Sequence, residues 1–134
     1  MDEAMRKSID EIKTELANGG ARGIVSRSRR TGKTSALLEF VHENDPGNMI
    51  VVSCNSARAA SVKFQYKDLF PDDVQPMFTT VHCVNNRDVR GTTRRWVSDE
   101  VWPGAVVRKA PSYEFAQHLG TVGTPMCMDA VAET

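Results

Sequence analysis

The sequence predicts an α/β domain in three layers, a mainly parallel central sheet flanked by helices, and three observations lead there. Met49-Ile50-Val51-Val52-Ser53-Cys54 is a continuous β-branched run with the composition of a strand covered on both faces. Short apolar runs of this kind alternate along the chain with longer segments of helical character, the pattern of parallel βαβ units. Between the first such run and the next helical segment lies Ser28-Arg29-Arg30-Thr31-Gly32-Lys33-Thr34, a cationic strand-to-helix connection.

Taken in order, Met5, Ile9, Ile12 and Leu16 recur at helical spacing while Asp2, Glu3, Arg6, Lys7, Asp10, Glu11 and Lys13 fill the other faces. That is an amphipathic helix ended by Gly19-Gly20. Gly23-Ile24-Val25-Ser26 is too short for a helix and reads as a buried strand. Thr34 to Val41 reads as a helix that stops before the turn Asp45-Pro46-Gly47. After the β-branched strand, residues 56–70 carry Ala57, Ala60, Phe64 and Phe70 among charged positions, a second crossover helix closed by Pro71. Met77 to Val84 is the third strand. Polar residues from Asn85 to Thr93 lead into Trp96-Val97-Ser98-Asp99-Glu100, and Phe115 to Leu119 is the last strand. The expected organisation is one domain, with residues 1–20 an N-terminal helix and residues 21–134 the core that carries the cationic connection; a chain of 134 residues leaves no room for a second unit.

Seventeen basic and seventeen acidic residues cancel, so the chain as a whole is not an electrostatic nucleic-acid binder. Any such contact has to come from a local patch, such as Arg27, Arg29 and Arg30 or Arg94 and Arg95. Cys54, Cys83 and Cys127 form no CxxC pair, and His42, His82 and His118 have no ligand spacing, so free thiols in a reducing cytosol are expected. No apolar run approaches the ~18 residues of a membrane span, and the charged N-terminus is no signal peptide. A cytoplasmic protein without membrane contact is therefore expected.

The cationic connection carries most of the chemistry. The phosphate-binding loop has the pattern G-x-x-x-x-G-K-[ST]. Gly32-Lys33-Thr34 supplies its last three positions, and Arg27 stands where the first glycine would be. Glycine lets the backbone turn its N–H groups toward phosphate oxygens. Lys33 would reach the β- and γ-phosphates, the Thr34 hydroxyl would ligate Mg²⁺, and the helix starting there would add the positive end of its dipole. A bare Gly-Lys-Thr also occurs as a chance basic turn, but here it follows an expected strand and opens an expected helix. A three-layer P-loop nucleoside-triphosphatase fold is the expectation.

Such an enzyme needs a second element, an apolar strand ending in an acid. Trp96-Val97-Ser98-Asp99-Glu100 fits, with Ser98 the less apolar exception. Asp99 would hold the metal and Glu100 would polarise the attacking water as general base. One more strand, Met77 to Val84, intervenes between the loop and this acid pair, as in the ATPases that carry an additional strand and a catalytic glutamate. No guanine-recognition motif of NKxD type is present, so ATP with Mg²⁺ is the expected nucleotide.

On these residues the chain resembles the ATPase domain of tailed-phage terminase large subunits, whose deviant Walker A loops often lack the first glycine and carry an S-R-x-x-G-K-[ST] core. Asp88-Val89-Arg90-Gly91 is similar to the segment those proteins place before the acidic strand end. Leu69-Phe70-Pro71-Asp72-Asp73-Val74-Gln75-Pro76 resembles their link from second helix to next strand, and Gly123-Thr124-Pro125 resembles their coupling turn. The resemblance runs from about Val25 to Met126. It implies an Mg²⁺-dependent ATPase coupling hydrolysis to translocation or remodelling of double-stranded DNA, with a homo-oligomeric ring, or a terminase, portal or host motor, as partner. Arg29 would act in cis on the γ-phosphate, and Thr124 would sense it. Ser28, Arg30 and Thr31 complete the nucleotide-contacting loop, with no further role given to Arg30. Arg90 would steady its loop or touch a neighbouring subunit, or equally be a plain surface arginine in a polar loop. The expectation is a minimal form, lacking the nuclease domain and the usual adenine-binding region of a full terminase, in the host cytoplasm if phage-encoded. The alternative is a truncated relative that binds nucleotide or a partner without turnover.

Overall fold

The computed structural model describes residues 3–19, 24–25, 32–90 and 94–123. Helix α1 (Glu3–Gly19) buries Ile9, Ile12 and Leu16, the stripe its sequence spacing marks. Strand β1 (Ile24–Val25) precedes the loop, and helix α2 (Lys33–Glu43) buries Ala36, Leu37, Leu38, Phe40 and Val41. Helix α2 ends where Asn44 folds back, its amide donating to the Phe40 carbonyl at 2.7 Å. Strand β2 (Met49–Ser53) is buried at all five positions, as a two-sided strand must be. Helix α3 (Ser56–Leu69) is capped by Asn55, whose side chain accepts from the Arg58 backbone N–H at 2.8 Å.

The remaining elements are strand β3 (Met77–Thr80), strand β4 (Arg95–Asp99), helix α4 (Pro103–Lys109) and strand β5 (Gln117–Val122). Short 3-10 turns lie at Asn86–Asp88 and Pro111–Glu114. The five strands among the described residues run parallel in the order β1-β5-β4-β2-β3. The register slips between Trp96 and Val97, which pair with His118 and Gly120 and so leave Leu119 as an extra residue in β5.

Two cores separate the layers. On one face α1, α2 and α3 pack over Met49, Val51, Val97, Leu119 and Val122. On the other, α4 and the 3-10 turns cover Ile50, Val52 and Trp96. There Trp96 meets Tyr113 edge-on at 5.5 Å and donates its indole N–H to the Tyr113 carbonyl at 3.2 Å. Helices α1 and α2 are further joined by Arg6, which forks onto both Glu39 oxygens at 2.6 and 2.9 Å, and by Lys13, which bonds Glu43 at 2.7 Å. These cations hold Glu39 below the usual carboxylate range, with Arg6 the leading cause.

The three-layer α/β architecture agrees with the sequence expectation, but four details differ. Ala57, Ala60 and Phe64 lie on the outer side of α3, Phe64 at 74% exposure, and the buried stripe is Val62 and Tyr66. Both sets have helical spacing, and the tyrosine gains a bond to Asp73 that makes its burial satisfied. The third strand stops at Thr80, because Cys83 N–H turns back to the Thr80 carbonyl and hydroxyl. The last strand begins two residues later than expected and runs to Val122, leaving Phe115 outside it at 89% exposure. Finally, β3 is an edge strand beyond β2; the strand that stands between β1 and β4 is β5.

Candidate nucleotide site at the strand ends

In a parallel sheet, ligands gather outside the carboxyl ends of the strands. Here that edge brings together Gly32 to Thr34 at the start of α2, Ser53 at the end of β2, Asp99 and Glu100 at the end of β4, and Gly123 after β5. Gly32 adopts φ 82°, the left-handed region, and its carbonyl accepts the Ala36 N–H at 2.8 Å to begin the helix. A Cβ on Gly32 would lie 2.6 Å from Ile9 Cγ1 and 2.9 Å from Met5 Sδ. Backbone conformation and the close approach of α1 both select glycine.

Lys33 and Thr34 are half-buried on the first turn of α2. The Thr34 hydroxyl accepts from Arg58 Nη2 at 2.6 Å, and Asp99 Oδ2 accepts from Arg58 Nε at 2.7 Å. Asp99 is 1% exposed. Burial pushes its carboxyl above the ordinary range; Arg58 and Lys33 pull against that shift, and Glu100 adds to it. The same grouping pushes the Cys54 thiol up, through burial first and then the charges of Asp99 and Glu100.

Ser53 stands opposite Asp99 in the parallel register. Its hydroxyl is fully buried and has no hydrogen-bond partner among the described residues. An orphaned hydroxyl beside a buried carboxylate and a converging threonine suits a small hydrated cation, which needs oxygen ligands. Among the described residues no three His, Cys, Asp or Glu groups converge on one point. Mg²⁺ is commonly bound by one or two protein oxygens together with substrate phosphates and does not need such a group.

Glu100 is half-buried and sits at φ 58°, with its N–H donating to the Val122 carbonyl at 2.9 Å. A side chain held in this region costs about 1–3 kcal/mol and is found where surrounding structure fixes it for use. Of the candidates read from sequence, Gly32, Lys33, Thr34, Asp99 and Glu100 therefore meet at one edge. Ser28, Arg29, Arg30, Thr31 and Thr124 lie outside the described residues, as do Arg27 and Gly91.

Arg90 is placed elsewhere. With Arg94 and Arg95 it lines a cavity of about 400 Å³ at the amino ends of β4 and β5, the opposite pole of the sheet. Its neighbour Asp88 accepts from the Tyr113 hydroxyl at 2.7 Å and the Asn85 N–H at 2.9 Å, a packing role. Two site residues escaped the sequence reading. Arg58 is an ordinary surface-helix residue by pattern, and Ser53 is one polar position in an apolar strand; only the register beside Asp99 distinguishes them.

Among the described residues Cys54 and Cys83 are in no disulfide, Cys127 lies outside those residues, and no described helix is long and apolar enough to cross a membrane. Comparison with protein-family profiles, curated proteins and solved structures finds no match for this chain.

Proposed function

We propose that the chain is an Mg²⁺-dependent ATPase of the phosphate-binding-loop class, resembling the motor domain of phage terminases. One observation carries the reading: the Thr34 hydroxyl and the buried Asp99 carboxylate, from α2 and β4, converge on one positive charge, the Arg58 guanidinium, at the carboxyl edge of the sheet. Lys33 and the α2 N-terminus bind the β- and γ-phosphates. Thr34 and Asp99 hold the metal, which when bound neutralises charge on the phosphate oxygens. Glu100 takes a proton from water as that water adds to the γ-phosphorus and the β–γ bridging bond breaks, giving ADP and inorganic phosphate. Arg29 and Thr124 serve as the γ-phosphate contacts that the terminase resemblance implies. Double-stranded DNA is the cargo under this reading, and a ring of copies or a docking terminase, portal or host motor is the setting.

A second reading, nucleotide or partner binding without turnover, is favoured by one feature: Arg58 already bonds both proposed metal ligands. Phosphate release by the native chain and by Glu100→Gln, each with and without DNA, decides between them. Turnover that Glu100→Gln abolishes while calorimetric ATP binding persists supports the ATPase. Binding without turnover in the native chain leaves the second reading, and ATP binding indifferent to Lys33→Ala removes the phosphate-loop assignment and leaves only partner binding.

A further inference from the structure

Arg58 occupies a costly position. It is the third residue of α3, a helix with no acid in its first turn, so its charge lies at the positive end of the helix dipole. Its backbone N–H is already committed to the Asn55 cap, which fixes where the side chain starts. From there the guanidinium spends Nε on Asp99 and Nη2 on Thr34, the two groups assigned above to the metal. The planar fork of arginine can hold two acceptors at once in fixed geometry, which the point charge of lysine does not.

We propose that Arg58 is the resident cation of the metal position, a latch that keeps Asp99 paired in the nucleotide-free chain and must swing out before Mg²⁺ with nucleotide is seated. The inference rests on the reading of this edge as a magnesium-nucleotide site. An ionised carboxylate this buried is strongly destabilising when unpaired, so ionised Asp99 calls for one of these two cations. Both cannot be, because a guanidinium and a divalent ion sharing the same two ligands repel at contact distance. The side chain has a way out: Arg58 is 34% exposed whereas Asp99 is 1% exposed. Metal alone competes poorly with a tethered guanidinium. Metal arriving with phosphates brings further ligands and prevails, so the latch makes metal binding conditional on nucleotide. Release unties the start of α3 from α2 and β4 together, giving the nucleotide state a mechanical consequence on the β2–α3 side of the sheet.

The test uses Mn²⁺ as a paramagnetic probe, titrated without nucleotide into the native chain, Arg58→Ala, and Arg58→Ala combined with Asp99→Asn. Arg58→Ala is expected to bind Mn²⁺ at least about tenfold more tightly than the native chain, and the added Asp99→Asn to cancel that gain. Equal Mn²⁺ affinity in native and Arg58→Ala chains overturns the latch, as does a gain that survives Asp99→Asn. Circular dichroism confirms folding, and Arg58→Gln, which keeps length and hydrogen-bonding capacity without charge, replaces Arg58→Ala if that variant fails to fold. A separate arm measures ADP affinity with and without Mg²⁺. The latch predicts that Arg58→Ala strengthens binding only in the presence of Mg²⁺, and strengthening without the metal counts against it. If no variant binds ADP while the Mn²⁺ gain stands, Arg58 still occupies a cation position at Asp99, but the ATPase reading falls and with it the nucleotide condition on release.

Discussion

Gly123 and Glu100 touch across the ends of β5 and β4: a Cβ on Gly123 would lie 2.7 Å from Glu100 Cγ and 3.3 Å from its Oε1. Gly123 is also left-handed at φ 82°. The turn after β5 therefore sets the wall against which the proposed general base rests. Gly123→Ala is expected to cost about 1–3 kcal/mol of stability through backbone strain. It also pushes Glu100 from its place. Turnover should fall about 10- to 100-fold, with nucleotide affinity within about threefold of native, since a displaced base weakens the chemical step and not ground-state binding. Steady-state hydrolysis beside calorimetric binding checks this; unchanged turnover in a folded variant removes Gly123 as the support.

Glu100 itself predicts an opposition between stability and activity. Its positive φ is a strain that glycine does not carry. Glu100→Gly should raise the unfolding free energy by about 0.5–1 kcal/mol in denaturant titration while abolishing turnover. A destabilised Glu100→Gly chain would show that the carboxylate makes contacts that outweigh its backbone cost.

The outline of this site was legible because its residues are consecutive in sequence. Gly32-Lys33-Thr34 and Asp99-Glu100 each form a local pattern whose chemistry is fixed by neighbours, and the β-branched run at Met49 to Ser53 shows a buried parallel strand directly. What was not legible depends on pairing across distance. The sequence order suggests that the strand at Met77 stands between loop and acid pair, whereas β5 takes that place and β3 goes to the edge. Sequence order does not determine lateral order once every connection is a crossover. Arg58 and Ser53 acquire meaning only from standing beside Asp99, and α4 escapes notice because Pro103–Lys109 is too short to show a period.

Gly32 offers a test of how α1 is held against the loop. A methyl group there meets Ile9 Cγ1 at 2.6 Å as well as a backbone that resists a side chain. Gly32→Ala is expected to destabilise by about 2–4 kcal/mol, the sum of a left-handed backbone and an overpacked contact. Combining it with Ile9→Ala, which opens space at the fully buried Ile9, should recover part of the loss relative to the sum of the two single changes. Additive effects in a double-mutant cycle would show that backbone strain alone is responsible and that α1 does not press on the loop.

Acid stability should depend on the link between α3 and β3. Asp73 accepts from the Tyr66 hydroxyl and from His42 Nδ1, both at 2.6 Å, and His42 stacks on Phe70 at 3.9 Å. The Tyr66 bond first, and His42 next, hold the Asp73 carboxyl below its ordinary range. A depressed carboxylate contributes stability that is fully present above the ordinary range and is lost as pH falls through the lowered value. Asp73→Asn should therefore lower the melting temperature at neutral pH and flatten its fall in acid. Thermal melts from neutral pH downward check both, and an acid limb as steep as that of the native chain would remove Asp73 from the linkage.

The serine that makes the acidic strand less apolar has its own partner. Ser98 Oγ bonds Thr121 Oγ1, and Thr121 Oγ1 lies 3.1 Å from His118 Nε2, all buried between β4 and β5 on the α4 face. This ties the strand carrying Asp99 and Glu100 to the strand that ends at Gly123. Thr121 is the shared member, so Thr121→Val leaves Ser98 without that buried bond and is expected to cost about 1–3 kcal/mol. Ser98→Ala leaves Thr121 still bonded to His118 and should cost less, about 0.5–1.5 kcal/mol. Because the network is shared, the double change should cost less than the sum of the two. If Ser98→Ala proves the costlier single change, Thr121 is not the hub, and the two strands are held together by their backbone ladder and apolar packing alone.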